Sequence, residues 1–203
     1  MKKIQSGRSM VEMLGVLAII GVLSVGAIAG YSKAMKKHKL NVQSQGLSML
    51  LQNALNFSSE LNKKTLTTSN ITEILHKLQY VPEGFTYNKK TNYVVDNFSS
   101  NIRFDSSTQY PSAYNFGLRY YVEDTNFRFD ICVNLINVAK EYRGQIHYLT
   151  VTNPDKGQTN YYGDFGCKQG RICLATLTME NIYNMCKVQN NEKQGSMFSF
   201  SWF

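Results

Sequence analysis

An apolar segment near the start of the chain is its strongest hydrophobic pattern. Residues 13–30 contain no charge and no proline, and a helix of this length is just long enough to cross the roughly 30 Å hydrocarbon core of a bilayer. A short basic stretch, residues 1–7, precedes the segment, and a basic cluster at residues 33–39 follows it. We therefore predict a membrane-spanning helix at about residues 13–31.

The hydrophobic pattern changes after the basic cluster. Apolar residues then recur at spacings near three, four and seven, which is typical of an amphipathic helix with one buried face. The recurring positions are Leu40, Leu47, Leu50, Leu51, Ala54, Leu55, Ser58 and Leu61. We predict one stem helix from residue 8 to residue 61, with Gly46 as its weak point. The alternative is two helices that break near residues 37–41.

The rest of the chain, residues 62–203, alternates short helix and strand patterns, and we refer to it as the head. Asn70, with Glu73 three residues later, is typical of a helix N-cap, and Thr178 predicts the cap of a helix that reaches Cys186. Further patterns predict strands at 101–105, 115–122 and 145–152, a helix between 127 and 142, a turn at 153–157, and a C-terminal strand whose buried face is Phe198, Phe200 and Trp202. The fold class that follows is α+β: a long N-terminal α-helix packed against an antiparallel β-sheet head.

The net charge of +8 is concentrated around the apolar segment. The flanking lysines are Lys2, Lys3, Lys33, Lys36, Lys37 and Lys39. This distribution is typical of the flanks of a membrane helix. The head has no basic stripe interleaved with aromatic residues, so we predict no specific nucleic-acid partner.

The residues just before the apolar segment form a recognisable motif. Residues 6–14, Ser-Gly-Arg-Ser-Met-Val-Glu-Met-Leu, resemble the prepilin processing site of type IV pilins and type II secretion pseudopilins. That family has a basic leader ending in glycine and a glutamate five positions after the cleavage point, and Gly7 and Glu12 match both. The resemblance implies a leader peptide at 1–7, cleavage between Gly7 and Arg8 by a prepilin peptidase, and usually N-methylation of the new terminus.

Two positions depart from the family pattern. The first residue after the cleavage point is usually Phe or Met, and here it is Arg8, which leaves its methylation open. The family often has a proline where this chain has Ala29, so a proline kink is not expected. The resemblance is strong over residues 1–35 and weak in the head.

The resemblance also implies how the subunit would assemble and with what partners. In a filament, the α-ammonium of one copy would meet the Glu12 carboxylate of a neighbour inside an apolar core. Gly26 and Gly30 have the spacing that lets helices approach closely, although glycine is also simply common in membrane helices. The implied partners are copies of this chain and related pilin-like subunits, the prepilin peptidase, an inner-membrane assembly platform, and membrane lipid before assembly.

Four cysteines lie in the C-terminal third of the chain. An even number in one region favours disulfides, which persist in an oxidising compartment, and four cysteines allow three pairings. Cys167 and Cys173 enclose a short loop suited to a local clip, and Cys132 and Cys186 would then close a long loop. That long loop also resembles the disulfide near the C-terminus of type IV pilins, especially of the type IVb kind. A zinc site is the alternative, but these spacings do not match paired structural-zinc motifs.

The sequence shows no catalytic constellation. His38, His76 and His147 are scattered, and no nucleophile elbow or glycine-rich phosphate loop occurs. We therefore predict no enzyme activity, no cofactor and no metal.

Our interpretation is a structural subunit of a bacterial type IV filament, either a pilus or a secretion pseudopilus. The expected location is the inner membrane, with a cytoplasmic N-terminus and a periplasmic head, and then the filament. The count of flanking lysines slightly favours the opposite orientation, but the cysteines and the resemblance outweigh it. The alternatives are a monomeric, signal-anchored extracytoplasmic binding protein and a chain whose apolar segment is removed as a signal peptide.

Overall fold

The computed structural model describes residues 10–60, 70–106, 116–123, 126–153, 157–187 and 196–202. Its helices are α1 (Met10–Glu60), α2 (Thr72–Lys77), α3 (Arg128–Glu141) and α4 (Met179–Cys186), with a 3-10 turn at Leu174–Thr176. Its strands are β1 (Thr86–Asn88), β2 (Tyr93–Val95), β3 (Asn101–Ser106), β4 (Phe116–Val122), β5 (Tyr148–Asn153), β6 (Gly157–Tyr162) and β7 (Ser196–Trp202). The chain divides into two compact units, Met1–Lys39 and Leu40–Phe203.

The described strands form one antiparallel sheet in the order β1-β2-β3-β4-β7-β5-β6. The last strand of the chain, β7, lies between β4 and β5. Its Phe200 pairs with Leu118 on one side and with Leu149 on the other, and all three side chains are fully buried. The two halves of the sheet are therefore joined through the C-terminal strand.

The part of α1 that belongs to the second unit packs against this sheet. The apolar stripe at Leu47, Leu50, Leu51 and Ala54 is buried in the same core as the inner faces of the central strands. At the far end of the helix, the indole Nε1 of Trp202 donates a hydrogen bond to Ser58 Oγ at 2.9 Å. The predicted fold class, a long N-terminal helix packed on an antiparallel sheet, is confirmed.

Gly46, predicted as the weak point of the helix, is also a close packing position, and α1 continues through it. A Cβ atom at Gly46 would lie 2.5 Å from Cε1 of Phe85, which is buried. Because glycine has no Cβ, the Phe85 ring can lie directly against the helix. The alternative of two helices is not supported, since α1 runs through residues 37–41 without a break.

The elements with strong local patterns are confirmed. Helix α3 occupies the predicted range. Strands β3 and β4 begin and end within one residue of the predicted strands, and β7 contains the predicted alternating aromatic residues. The Thr178 side chain accepts a hydrogen bond from the backbone of Asn181, and the Asn181 side chain accepts one from the Thr178 backbone, which is a complete capping box for α4.

The predicted N-cap at Asn70 was placed one residue too early. The residue at the cap of α2 is Ile71, which has no side-chain cap. Asn70 Oδ1 instead accepts from the Thr72 backbone at 3.0 Å, and Glu73 forms a 2.8 Å ion pair with Lys77. Asparagine often makes this local two-residue bond in place of a cap.

Three strands were missed, and one begins later than predicted. Strands β1 and β2 have three residues each, and β6 is largely exposed, so none has a long apolar alternation. The strand predicted at 145–152 begins at Tyr148 because the chain first makes a turn after α3. The leader at 1–7, the helix ends at 8 and 61 and most of the turn at 153–157 lie outside the described residues.

Candidate functional site

The first unit presents an apolar helical surface, which we call the stem segment, residues 10–31. Large side chains along it are exposed to solvent, for example Val22 at 75% and Leu23 at 67%. The most apolar 18-residue window of α1 has a mean hydropathy of 2.4, and none of it is buried within the chain. By length and composition, this helix can cross a membrane. An apolar surface of this size requires lipid or another protein chain to cover it.

Glu12 is the acidic residue in the first turn of α1. Met13 and Val16, which follow it on the helix, are both exposed and apolar. The next charged residue along the helix is Lys33. A carboxylate carried to the middle of a bilayer costs about 2.5–3.5 kcal/mol, so a group in this position calls for a partner once it leaves the membrane surface.

Gly7 and Arg8 lie outside the described residues. The cleavage point between them, and the pairing of Glu12 with a newly formed amine, therefore stay predictions.

The glycines of the stem segment are not in close contact with any other described part of the chain. A Cβ atom built at Gly15, Gly21, Gly26 or Gly30 would have no heavy atom within 4 Å outside the local helix backbone. This contrasts with Gly46, where the same atom would overlap a phenylalanine ring. Glycine costs about 1 kcal/mol relative to alanine in a helix in water. Contacts within the described part of the chain do not account for that cost, whereas close packing against another helix would.

Two disulfides stabilise the second unit. Cys132 in α3 bonds to Cys186 at the end of α4, with a Cα–Cα distance of 5.6 Å. Cys167 bonds to Cys173, with a Cα–Cα distance of 5.4 Å, and closes the loop between β6 and the 3-10 turn. These are the two pairings proposed from the spacing and the resemblance. The longer bond joins two helices in the chain segment that precedes β7.

A buried polar cluster fixes α1 to the head, and the sequence reasoning missed it. The Gln43 cluster consists of Gln43, Asp96, Tyr120 and Asn134. Gln43 Nε2 donates to Tyr120 Oη at 2.6 Å and to Asp96 Oδ2 at 3.3 Å. Asn134 Nδ2 donates to Gln43 Oε1 at 3.0 Å. The cluster connects α1, the segment after β2, strand β4 and helix α3 through one glutamine.

One signal in the sequence could have found this cluster. Gln43 lies three residues after Leu40 and four before Leu47, so it occupies the apolar stripe of α1. A polar residue on a buried stripe needs a hydrogen-bond partner inside the protein.

Burial of the Asp96 carboxyl group opposes its ionisation, whereas its hydrogen bonds favour it. Its Oδ1 accepts from the backbone of Phe98 at 2.9 Å and of Ser100 at 2.8 Å, and the Tyr120 hydroxyl donates to its Oδ2. Burial raises the pKa of Asp96 above its ordinary value of 3.8, although these hydrogen bonds act to lower it. Burial, with the charge of Asp96, also raises the pKa of Tyr120 well above 10.0, so its hydroxyl stays protonated.

Two of the three histidines, His76 and His147, make aromatic contacts. The His76 ring stacks on Tyr87 with centroids 4.2 Å apart, and His147 makes edge contacts with Tyr148 and Tyr162. Burial lowers the pKa of His147, and nearby Arg171 lowers it further. Within the described ranges, no group of three or more His, Cys, Asp or Glu residues could hold a metal ion.

A comparison with solved structures relates this fold to a known one. The chain superposes on the crystal structure of a type IVb pilin from Salmonella typhi with a TM-score of 0.52. The matched region covers 78% of this chain and 96% of that chain, at 10% sequence identity. No protein-family model and no curated protein matches the sequence. The chain has a type IV pilin-like fold, with an apolar N-terminal helix.

Proposed function

We propose that this chain is a pilin-like structural subunit of a bacterial type IV filament, assembled through its N-terminal helix. The observation that carries the proposal is the stem segment: an apolar helix that its own chain leaves exposed, in a protein with a type IV pilin-like fold. A membrane covers this surface first, and copies of the same helix cover it in the filament. Both environments are apolar, so the transfer between them costs little hydrophobic free energy.

Processing prepares the chain for this transfer. In the proposal, a prepilin peptidase removes residues 1–7 and leaves a free α-ammonium on Arg8. The Glu12 carboxylate of one subunit then pairs with the ammonium of a neighbour in the filament core. A buried ion pair adds little net stability, but loss of one partner costs about 3–5 kcal/mol. The pair therefore acts mainly on the register and recruitment of subunits.

Close contact between stems gives the glycines their role. Gly26 and Gly30 lie one helical turn apart and so share a face of α1. Among the described residues, no heavy atom outside the local helix backbone lies within 4 Å of a Cβ built at Gly26 or Gly30, which leaves room for another helix to lie directly against the backbone there. The proposal assigns this face to contacts between neighbouring subunits.

The head would lie outside the cytoplasm. Its two disulfides form where the environment is oxidising, which supports a cytoplasmic N-terminus and a periplasmic head before assembly. An inner-membrane platform and related pilin-like subunits complete the proposed set of partners.

Intact-mass measurement of the membrane-extracted protein tests the processing step. We expect the mass of a chain that lacks residues 1–7 when an active prepilin peptidase is co-expressed, and the full mass when the peptidase is catalytically inactive. A chain that starts downstream of Tyr31 would contradict the proposal, because the stem segment would have been removed as a signal peptide.

Electron microscopy of sheared surface or periplasmic material tests assembly. We expect thin filaments that contain this chain when the peptidase and assembly platform are present. A processed chain that stays entirely in the membrane fraction as a monomer would instead favour the anchored binding protein.

A further inference from the structure

A cavity in the second unit opens beside the edge strand of the sheet. It has a volume of about 460 Å³ and lies between the hairpin formed by β5 and β6 and the helix α4. Val151 and Leu177 are buried residues of its lining, whereas Thr176, Asn181 and Asn184 are exposed. This volume falls within the roughly 300–1,000 Å³ of small-molecule sites in proteins.

The lining of the cavity is neutral. Among the described residues that line it, none carries a charge, and the polar groups are side-chain amides and hydroxyls such as those of Thr159, Thr176, Asn181 and Asn184. A charged ligand would lose hydration without gaining an ionic partner among these lining residues. The Lys140 ammonium donates to the carbonyl oxygen of Leu177 at 2.7 Å and is not itself part of the lining. Amides and hydroxyls both donate and accept hydrogen bonds, and this matches a ligand whose own polar groups are hydroxyls.

The polar groups are held in place before any ligand arrives. Asn181 Oδ1 accepts from the Thr178 backbone at 3.0 Å and from Thr178 Oγ1 at 2.8 Å, so the amide nitrogen is the donor that Asn181 can offer to a ligand. The Thr176 hydroxyl donates to Cys173 O at 3.1 Å and can still accept. The two disulfides fasten both ends of this wall, at Cys173 and at Cys186. Preorganised groups lose less entropy when they bind a ligand.

The strand side of the cavity argues against a bound peptide strand. Gly157, Thr159 and Tyr161 alternate along β6 and therefore share one face of it. The cavity thus uses the face of the strand, whereas an added peptide strand pairs with the backbone groups of its edge.

We infer that this cavity is a binding site for a neutral carbohydrate, a monosaccharide or disaccharide unit whose hydroxyls meet the Asn181, Asn184, Thr159 and Thr176 side chains. The apolar C–H face of the sugar ring would lie on Val151 and Leu177. The site goes beyond the proposed role in the filament, because its lining residues belong to the second unit and not to the stem segment.

Saturation-transfer NMR on the full chain tests this inference. The chain is solubilised in a phosphocholine detergent, since detergents with sugar headgroups would compete for the site. The probes are neutral hexoses, N-acetylhexosamines and their disaccharides, with sialic acid and glucosamine as charged comparators. We expect saturable binding of at least one neutral sugar at millimolar concentration or below.

A matched pair of variants on β6 locates the binding. Thr159→Phe fills the cavity, whereas Asn160→Phe introduces the same side chain at the next residue, on the opposite face of the strand, where it replaces the acceptor of a hydrogen bond from Thr150. We expect binding to weaken at least tenfold in Thr159→Phe and to change less than twofold in Asn160→Phe. Because Thr159→Phe could disturb folding, Asn184→Ala on the exposed side of α4 is measured as well, with an expected three- to tenfold loss.

Three results would overturn the inference. They are the absence of saturable binding by any neutral sugar, unchanged binding in both Thr159→Phe and Asn184→Ala, and preferential binding of the charged sugars. The assay uses the monomeric chain, so its outcome is independent of whether filaments form.

Discussion

The amide nitrogen of Gln43 lies 2.6 Å from the phenolic oxygen of Tyr120, and both side chains are completely buried. Gln43 belongs to the long helix, and Tyr120 to a strand of the sheet. The surrounding helix contacts are mostly apolar and therefore non-directional. The hydrogen bonds of the Gln43 cluster are directional, so they hold the helix at one position along the sheet.

Substitution of Gln43 tests how much this cluster contributes. In Gln43→Leu, Tyr120 and Asp96 lose the hydrogen bonds that Gln43 donates to them. Asn134 loses its bond to Gln43 Oε1 and keeps its bond to the Leu40 carbonyl oxygen. Loss of a hydrogen-bond partner for a buried group costs about 1–3 kcal/mol. We expect the free energy of unfolding to fall by about 2–4 kcal/mol. The measurement is urea denaturation followed by fluorescence of Trp202, the single tryptophan of the chain, which is buried.

Gln52→Leu is the matched control for this measurement. It makes the same change on the same helix, but the Gln52 side chain donates to Asn56 Oδ1 at 3.0 Å on the exposed side, outside the Gln43 cluster. We expect a change within about 0.5 kcal/mol, as for most surface substitutions. Equal effects of the two variants would show that the cluster contributes no more than a surface contact.

The pH dependence of stability tests the state of Asp96. Its pKa in the folded protein is raised above 3.8 by burial, so between 3.8 and that raised pKa the folded chain keeps a proton that the unfolded chain has released. Stability then falls as the pH rises through this interval. Asp96→Asn removes this dependence.

The measurement for Asp96 is the difference in unfolding free energy between the native chain and Asp96→Asn, taken at several pH values. We expect the unfolding free energy of the native chain to exceed that of Asp96→Asn by the largest amount below pH 3.8, and this difference to shrink as the pH rises. Contributions from the other carboxyl groups are the same in both proteins and cancel in the difference. An advantage that grows with pH would mean that the hydrogen bonds from Tyr120 and the backbone outweigh burial.

The two disulfides should differ in their effect on stability. Cys132 and Cys186 are 54 residues apart, and Cys167 and Cys173 are six apart. In the chain-entropy model, these closures stabilise by about 4 and about 2 kcal/mol. We expect the double alanine variant of the long loop to lose more stability in urea denaturation than that of the short loop. The reverse order would contradict an entropic origin.

Two glycines of the same helix should respond differently to the same substitution. Gly46→Leu forces a side chain against Phe85, and overpacking of this kind costs about 1–3 kcal/mol. At Gly26, a Cβ atom would have no described heavy atom within 4 Å beyond the local helix backbone, so for Gly26→Leu we expect unchanged unfolding of the head but fewer filaments. Filament yield by electron microscopy and Trp202 fluorescence separate the two effects. Normal filaments from Gly26→Leu would exclude close helix contact at that position.

The sequence predicts those elements whose pattern is long or chemically distinctive. The apolar stem segment, the alternating aromatics of β7 and the capping box at Thr178 are local features, and they predict the corresponding elements correctly. Strands β1 and β2 are too short to show a period, and their pairing depends on neighbours that are distant in the sequence. Local pattern therefore could not reveal them.

The residues of the candidate site also divide into those with a local sequence signal and those whose role depends on distant parts of the chain. Glu12 stands out because it is charged at the border of an apolar segment. The packing role of Gly46 and the hydrogen bonds of Gln43 were missed because they depend on Phe85 and Tyr120, which come from other parts of the chain. Only the tertiary fold shows that one position needs close approach and the other a hydrogen bond.

Incorporation of Glu12→Ala into filaments tests the central claim most directly. The variant is expressed with an active peptidase and assembly platform, beside Glu83→Ala, which removes an exposed carboxylate from the head. The measurement is the fraction of each processed chain recovered in sheared filaments. We predict that both variants lose residues 1–7 normally, that Glu83→Ala enters filaments as the native chain does, and that Glu12→Ala stays in the membrane. Normal filaments from Glu12→Ala would contradict the account.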